Sequence, residues 1–208
     1  MRQTRIKICG LTRAEDVELA GQLGAWAVGF IFVPGTPRYI DEERALAISA
    51  TLPSSVRRVG VFLNERLDVI ERTAEIVGLD LIQLHGNETM DECRQLGLQR
   101  VVKAITLDSK DDLDKALSYE TAYLLVDKAK ASRAETIDWS LAKKVVANHP
   151  RVILAGGLTA ENVARGIEEV NPWGVDVASG VEARPGQKHH GALRAFFAAV
   201  VGSDTAGE

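Results

Sequence analysis

One pattern constrains this chain more than any other. Short β-branched, apolar runs recur roughly every 20 to 30 residues, each followed by a stretch of helical periodicity with a polar face. The runs are Ile6–Cys9, Ala27–Phe32, Arg58–Leu63, Leu79–Leu84, Arg100–Ile105, Ala122–Asp127, Val152–Ala155 and Val175–Ala178. Between them, Thr12 and Glu15 have capping-box spacing, Asp41 precedes Glu42-Glu43, and Asn64, Asp108 and Thr159 are further cap candidates. Leu67, Ile70, Ala74 and Val77 fall on one face of a helix between Asn64 and Gly78. Eight strand–helix units favour an α/β architecture closed into a (β/α)8 TIM barrel. The alternative is an open doubly wound sheet, which needs a switch point and a glycine-rich turn after the first strand, where only Gly10 stands. At 208 residues the chain is at the compact limit of the barrel as a single domain. Residues 1–202 are assigned to the barrel and 203–208 to a flexible C-terminal tail.

Charge and cysteine content narrow the partners. Lys and Arg number 25 against 29 Asp and Glu, a net charge of −4, so neither nucleic acid nor an anionic membrane is expected as a partner. The longest apolar run, Ala25 to Val33, is too short to span a bilayer, and the first residues lack a secretory pattern. Cys9 and Cys93 are too few for a disulfide framework and read as reduced thiols in a cytoplasmic protein. No feature of the text sets an oligomeric state.

Strand alternation sorts the polar side chains. With Ile6 and Ile8 facing outward helices, Lys7 and Cys9 face the barrel interior; Gln83 and His85, Asp127, Lys103 and Asp176 are assigned inward on the same logic. Buried charges need partners, so Lys7, Lys103, Gln83 and Asp176 read first as a satisfied polar plug. Cys9, His85 and Asp127 fall at the C-terminal strand ends, where active sites of such barrels are built. A thiol and a carboxyl across one mouth can act as base and acid, provided that Lys7 lowers the thiol pKa and the carboxyl pKa is raised. Taken singly, Cys9 is also an ordinary small buried side chain, and His85 an ordinary hydrogen-bonded one. The loops Gly156-Gly157 and Ser179-Gly180, after strands seven and eight, have the character of a phosphate site, although Gly-Gly also makes plain tight turns. Arg38, in Pro34-Gly35-Thr36-Pro37-Arg38-Tyr39, suits a carboxylate ligand or a surface pair with Asp41 or Glu42.

These segments resemble a known family. Lys7-Ile8-Cys9-Gly10-Leu11-Thr12, the Arg38 loop, Gln83-Leu84-His85-Gly86-Asn87-Glu88, Ile153-Leu154-Ala155-Gly156-Gly157-Leu158 and Gly174 to Glu182 are similar to phosphoribosylanthranilate isomerases of tryptophan biosynthesis. The resemblance runs in order from about residue 5 to residue 187. It implies an Amadori rearrangement of a phosphorylated small molecule with no metal or organic cofactor. Asp127 is implied as the acid and Cys9 as the base. Arg38 is implied as the anthranilate carboxylate clamp, and Gly156, Gly157, Ser179 and Gly180 as the phosphate site. Asp176 is implied at a sugar hydroxyl, and His85 and Gln83 as nearby supports. The histidine-pathway Amadori isomerase is a weaker match, since it resembles a pair of aspartates where this chain has Cys9 at one strand end. One segment departs from the pattern: Lys128 to Thr136 lacks the family's glycines and carries Lys128, Lys130 and Arg133, either as substrate contacts or as a solvated loop. That loop is also the one feature favouring a barrel that binds its ligand without turnover.

Overall fold

The computed structural model describes residues 3–129 and 136–206. Eight parallel strands close in sequence order: β1 (Arg5–Cys9), β2 (Ala27–Ile31), β3 (Arg57–Phe62), β4 (Leu81–Leu84), β5 (Val101–Thr106), β6 (Tyr123–Asp127), β7 (Val152–Leu154) and β8 (Gly174–Val177). The helices are α1 (Ala14–Gln22), α2 (Glu42–Ser49), α3 (Leu67–Val77), α4 (Met90–Leu96), α5 (Lys110–Leu117), α6 (Trp139–Asn148), α7 (Val163–Val170) and α8 (His190–Ala206). A small antiparallel hairpin, β9 (Glu182–Arg184) with β10 (Gln187–Lys188), lies between β8 and α8. Every strand expected from the sequence is present, with its ends moved by no more than two residues. No described helix is long and apolar enough to cross a membrane.

Two cores follow from the alternation. Ala27, Val59, Leu81, Val102, Ala104, Leu125, Ile153 and Ala155 fill the barrel, and Trp26, Tyr123 and Trp173 pack against them. The three rings meet at centroid distances of 4.8 to 5.4 Å. Ile6, Ile8, Val28, Phe30, Ile82, Leu84, Leu124, Val126, Val175 and Val177 form the other core, shared with the helices. On α3, Ile70, Ala74 and Val77 are buried on the face read from their spacing, with Leu67 packed beside them.

Three expectations are corrected. Lys103 points out of the barrel, because Val102 and Ala104 are the inner residues of β5. Its ammonium lies between β5 and the β4–α4 loop, donating to the Leu84 and Gly86 carbonyls at 3.1 and 2.8 Å and pairing with Glu88 at 2.9 Å. Residues 203–206 belong to α8 rather than to a tail. The Asp204 carboxylate accepts from the Thr4 amide and hydroxyl at 2.8 and 2.7 Å, tying the last helix to the entrance of β1. Several expected helix caps are spent on loop-to-loop bonds instead. Thr12 donates to the Gly186 carbonyl, Asn64 accepts from the Asn87 amide, and α5 is capped by Ser109 rather than Asp108. Asp41 does cap α2, accepting from the Arg44 amide at 2.8 Å.

Candidate active site

The C-terminal rim collects the side chains that the alternation sends inward. Lys7 and Asp176 are register partners across β1 and β8, and Lys7 Nζ lies 2.9 Å from Asp176 Oδ1, both groups buried. Two residues further along β1, Cys9 pairs in register with Gly29 of β2. A Cβ at Gly29 would stand 2.9 Å from Cys9 Sγ and 3.3 Å from Lys7 Nζ, so the glycine makes the space that thiol and ammonium occupy. Sequence alone does not give that role, since a glycine inside a β run signals only close approach, not what approaches.

Burial is the largest influence on the Cys9 thiol and raises its pKa above the ordinary 9.0. Lys7 and Lys188 pull it down, and Asp176 pushes it up. The expected assistance from Lys7 is present in direction, but desolvation outweighs it. Asp127, at the end of β6, is pushed by burial from 3.8 to about 6, against a bond of 2.8 Å from the Lys128 amide to its Oδ1. Asp176 raises Asp127 as well, and Lys7 lowers it. One buried pair on β1 and β8 therefore acts on both the thiol and the carboxyl. His85 Nε2 stands 3.5 Å from Asp127 Oδ2, while His85 Nδ1 is 3.0 Å from the Gln83 amide nitrogen. With that amide as donor, the imidazole proton resides on Nε2, the nitrogen facing Asp127.

The glycine loops adjoin this group. Gly156 and Gly157 both have φ of +82°, a conformation that strains other residues. A Cβ at Gly156 would meet the Lys128 amide at 2.7 Å and Asp127 Oδ1 at 3.0 Å, which places the loop after β7 directly against the acid. A Cβ at Gly180 would meet the Leu158 carbonyl at 1.9 Å, so the loops after β7 and β8 are in backbone contact. Ser179 beside it is exposed.

Arg38 reaches the same rim from the loop after β2. Its partner is neither Asp41 nor Glu42 but Glu182 at the start of β9, which accepts from Nε at 2.9 Å and from Nη2 at 2.6 Å. Nη1 is not engaged by Glu182. Glu182 is further held by the Gly186 amide and by Lys188 Nζ, both at 3.1 Å. Neither Glu182 nor Lys188 lies on a barrel strand, so alternation assigns neither of them a direction. Lys130 and Arg133 lie outside the described residues. Among the described residues, no group of His, Cys, Asp and Glu is arranged to hold a metal ion.

The family model described as "N-(5'phosphoribosyl)anthranilate (PRA) isomerase" matches residues 6–199. An N-(5'-phosphoribosyl)anthranilate isomerase of Chromohalobacter salexigens is 45% identical over 207 residues, covering 96% of this chain and 95% of the relative. The phosphoribosyl anthranilate isomerase structure from Thermotoga maritima superimposes with a TM-score of 0.92 at 40% identity, covering 96% of this chain and all of that one. A phosphoribosyl anthranilate isomerase in complex with reduced 1-(o-carboxyphenylamino)-1-deoxyribulose 5-phosphate gives a TM-score of 0.88 at 40% identity, with the same coverage.

Proposed function

The chain belongs to the N-(5'-phosphoribosyl)anthranilate isomerase family, and on that premise we propose how its own residues divide the reaction. It is an enzyme of tryptophan biosynthesis, and it converts N-(5'-phosphoribosyl)anthranilate to 1-(2-carboxyphenylamino)-1-deoxyribulose 5-phosphate. Asp127 donates its proton to the furanose ring oxygen as the C1–O bond breaks, leaving a Schiff base between C1 and the anthranilate nitrogen. Cys9, as thiolate, takes the proton from C2; the C2 electron pair forms the C1–C2 double bond of an enolamine. Return of a proton to C1 and loss of one from the C2 hydroxyl give the ketose. The pathway is redox-neutral overall, and the proton given to the ring oxygen and the one taken from C2 each have a named group at the two catalytic strand ends.

The observation that carries this reading is a raised carboxyl on the same rim as a thiol flanked by two ammonium groups. Asp127 is held near 6, where a carboxyl keeps a usable proton at neutral pH, and Cys9 is enclosed beside the cations Lys7 and Lys188. Arg38 receives the anthranilate carboxylate on its Nη1 edge, and the Gly156-Gly157 and Ser179-Gly180 loops receive the phosphate. Fixing both anionic ends places the ring oxygen and C2 between acid and base, a positioning effect that lowers a barrier by several kcal/mol. Asp176 is committed to Lys7 through Oδ1, so its contact to a sugar hydroxyl is made through Oδ2. His85 orients Asp127 and is itself set by Gln83. The reaction runs in the cytoplasm, a placement supported by two unpaired buried thiols.

The test follows substrate fluorescence with freshly made phosphoribosylanthranilate. Cys9→Ala and Asp127→Asn are each expected to lose at least about a thousandfold in kcat while keeping the wild-type circular dichroism spectrum. A folded Cys9→Ala enzyme with near-normal turnover would remove Cys9 from the mechanism.

A further inference from the structure

The catalytic rim holds a buried cation that the steps above leave without a task. Lys188, at the end of β10, has a fully buried side chain. Its ammonium donates to the Cys9 carbonyl at 2.7 Å, to the Ala178 carbonyl at 2.9 Å and to Glu182 Oε1 at 3.1 Å. Those acceptors satisfy the three donors of an ammonium group. They also belong to three different parts of the site. The first is the backbone of the residue carrying the thiol, the second immediately precedes Ser179-Gly180, and the third is the carboxylate that grips Arg38. The Lys188 amide donates to the buried Asp16 at 3.0 Å, and Asp16 also faces His190 Nε2 at 2.9 Å, so the lysine's own backbone is anchored from α1. Burying an ammonium is unfavourable, and an apolar side chain of similar volume would fill the space at no such penalty.

We propose that Lys188 is a positioning residue for the isomerisation, fixing the end of β1 beneath Cys9 and, through Glu182, the direction in which Arg38 presents its free edge. The proposal rests on the assignment of Cys9 and Arg38 given above. It accounts for a lysine where packing alone requires none, and for a carboxylate, Glu182, held by a cation on each side. Lys188 also favours the Cys9 thiolate electrostatically. The other charged groups acting on that thiol are Lys7 from β1 and Asp176 from β8, while Arg38 senses it from the loop after β2.

Lys188→Met, which leaves Glu182 paired with Arg38, and the double variant Lys188→Met/Glu182→Gln, which removes that carboxylate as well, test this in the full-length enzyme. Steady-state kinetics are paired with the pH dependence of Cys9 alkylation by iodoacetamide, resolved from Cys93 by peptide mapping. Lys188→Met is expected to raise KM and lower kcat by about tenfold each, a loss typical of small misplacements. The Cys9 alkylation midpoint is expected to move up by about one pH unit, and Lys188→Arg to return it towards wild type. A folded variant of either kind with wild-type KM and an unmoved midpoint overturns the proposal. Failure of both Met variants to fold also overturns it, assigning Lys188 to stability alone. If Cys9→Ala is inactive and Arg38→Ala raises KM while Lys188 variants behave as wild type, only this proposal fails. If Cys9→Ala stays active, the assignment beneath it fails instead.

Discussion

The raised carboxyl of Asp127 has a cost in stability that can be measured. Burial raises its carboxyl to about 6 from 3.8. A carboxyl with a folded pKa above its unfolded value binds protons more tightly in the native state. Stability is therefore greatest below about pH 4 for this group and falls as pH rises through about 6. With the side chain 27% exposed, the loss is about 2 kcal/mol after allowance for solvent. Asp127→Asn abolishes the titration, so urea unfolding is expected to show the variant about 2 kcal/mol more stable than wild type at pH 7.5 and equal to it near pH 4. The same increment at both pH values would mean that the carboxyl is not raised. The need for such a raised carboxyl was legible from Asp127's place at a strand end. The state of Cys9 was only half legible. The sequence puts Lys7 two residues away on the same face, but it does not reveal that the thiol is enclosed deeply enough for burial to outweigh the lysine.

Elements show where sequence reading works and where it stops. On β1, β4 and β6 one face is plainly aliphatic, so period-two alternation orients Lys7, Cys9, Gln83 and Asp127 without ambiguity. On β5 both neighbours of Lys103 are apolar, as are the residues beyond them, and the rule has nothing to discriminate with; the lysine turned out to serve the β4–α4 loop through Glu88. The hairpin after β8 was beyond reach altogether, because Glu182 and Lys188 acquire meaning only from contacts with Arg38, Cys9 and Ala178. The loops proposed for the phosphate are legible in Gly156-Gly157 and Ser179-Gly180, but their mutual contact is not. That contact gives a prediction at this scale. Gly180→Ala would drive a methyl to within 1.9 Å of the Leu158 carbonyl, a backbone atom with no rotamer to change. The loops after β7 and β8 must separate, so KM for the phosphorylated substrate is expected to rise at least about tenfold, with inhibition by inorganic phosphate weakened in parallel. An unchanged phosphate inhibition constant alongside a raised KM would place the phosphate elsewhere on the rim.

At the scale of the whole molecule, barrel closure is what brings the proposed acid and base, Asp127 and Cys9, to one rim from strands that never pair with each other. Between them the Lys7–Asp176 pair, held across β1 and β8, biases both groups at once. In the proposed mechanism the reactive form has Asp127 protonated and Cys9 ionised, yet burial lifts the carboxyl to about 6 and the thiol above its ordinary 9.0. The productive arrangement is therefore the less populated one. Between the two pKa values each pH unit removes about tenfold of the protonated carboxyl and adds about tenfold of the thiolate, and the product of the two stays constant. Below about pH 6 the carboxyl is already protonated while the thiolate keeps falling, so kcat/KM drops about tenfold per unit. The expected profile is flat from about pH 6 up to the raised thiol value, with a descending limb on either side. A phosphate monoester also titrates near 6, and binding of the reduced product measured over the same range separates the two causes. An acid limb present in kcat/KM but absent from the inhibitor's affinity belongs to the enzyme's acid–base pair. A rate that instead climbs steadily from pH 6 to 9 would require the thiolate alone to limit turnover, and Asp127 would then lose its place as the acid.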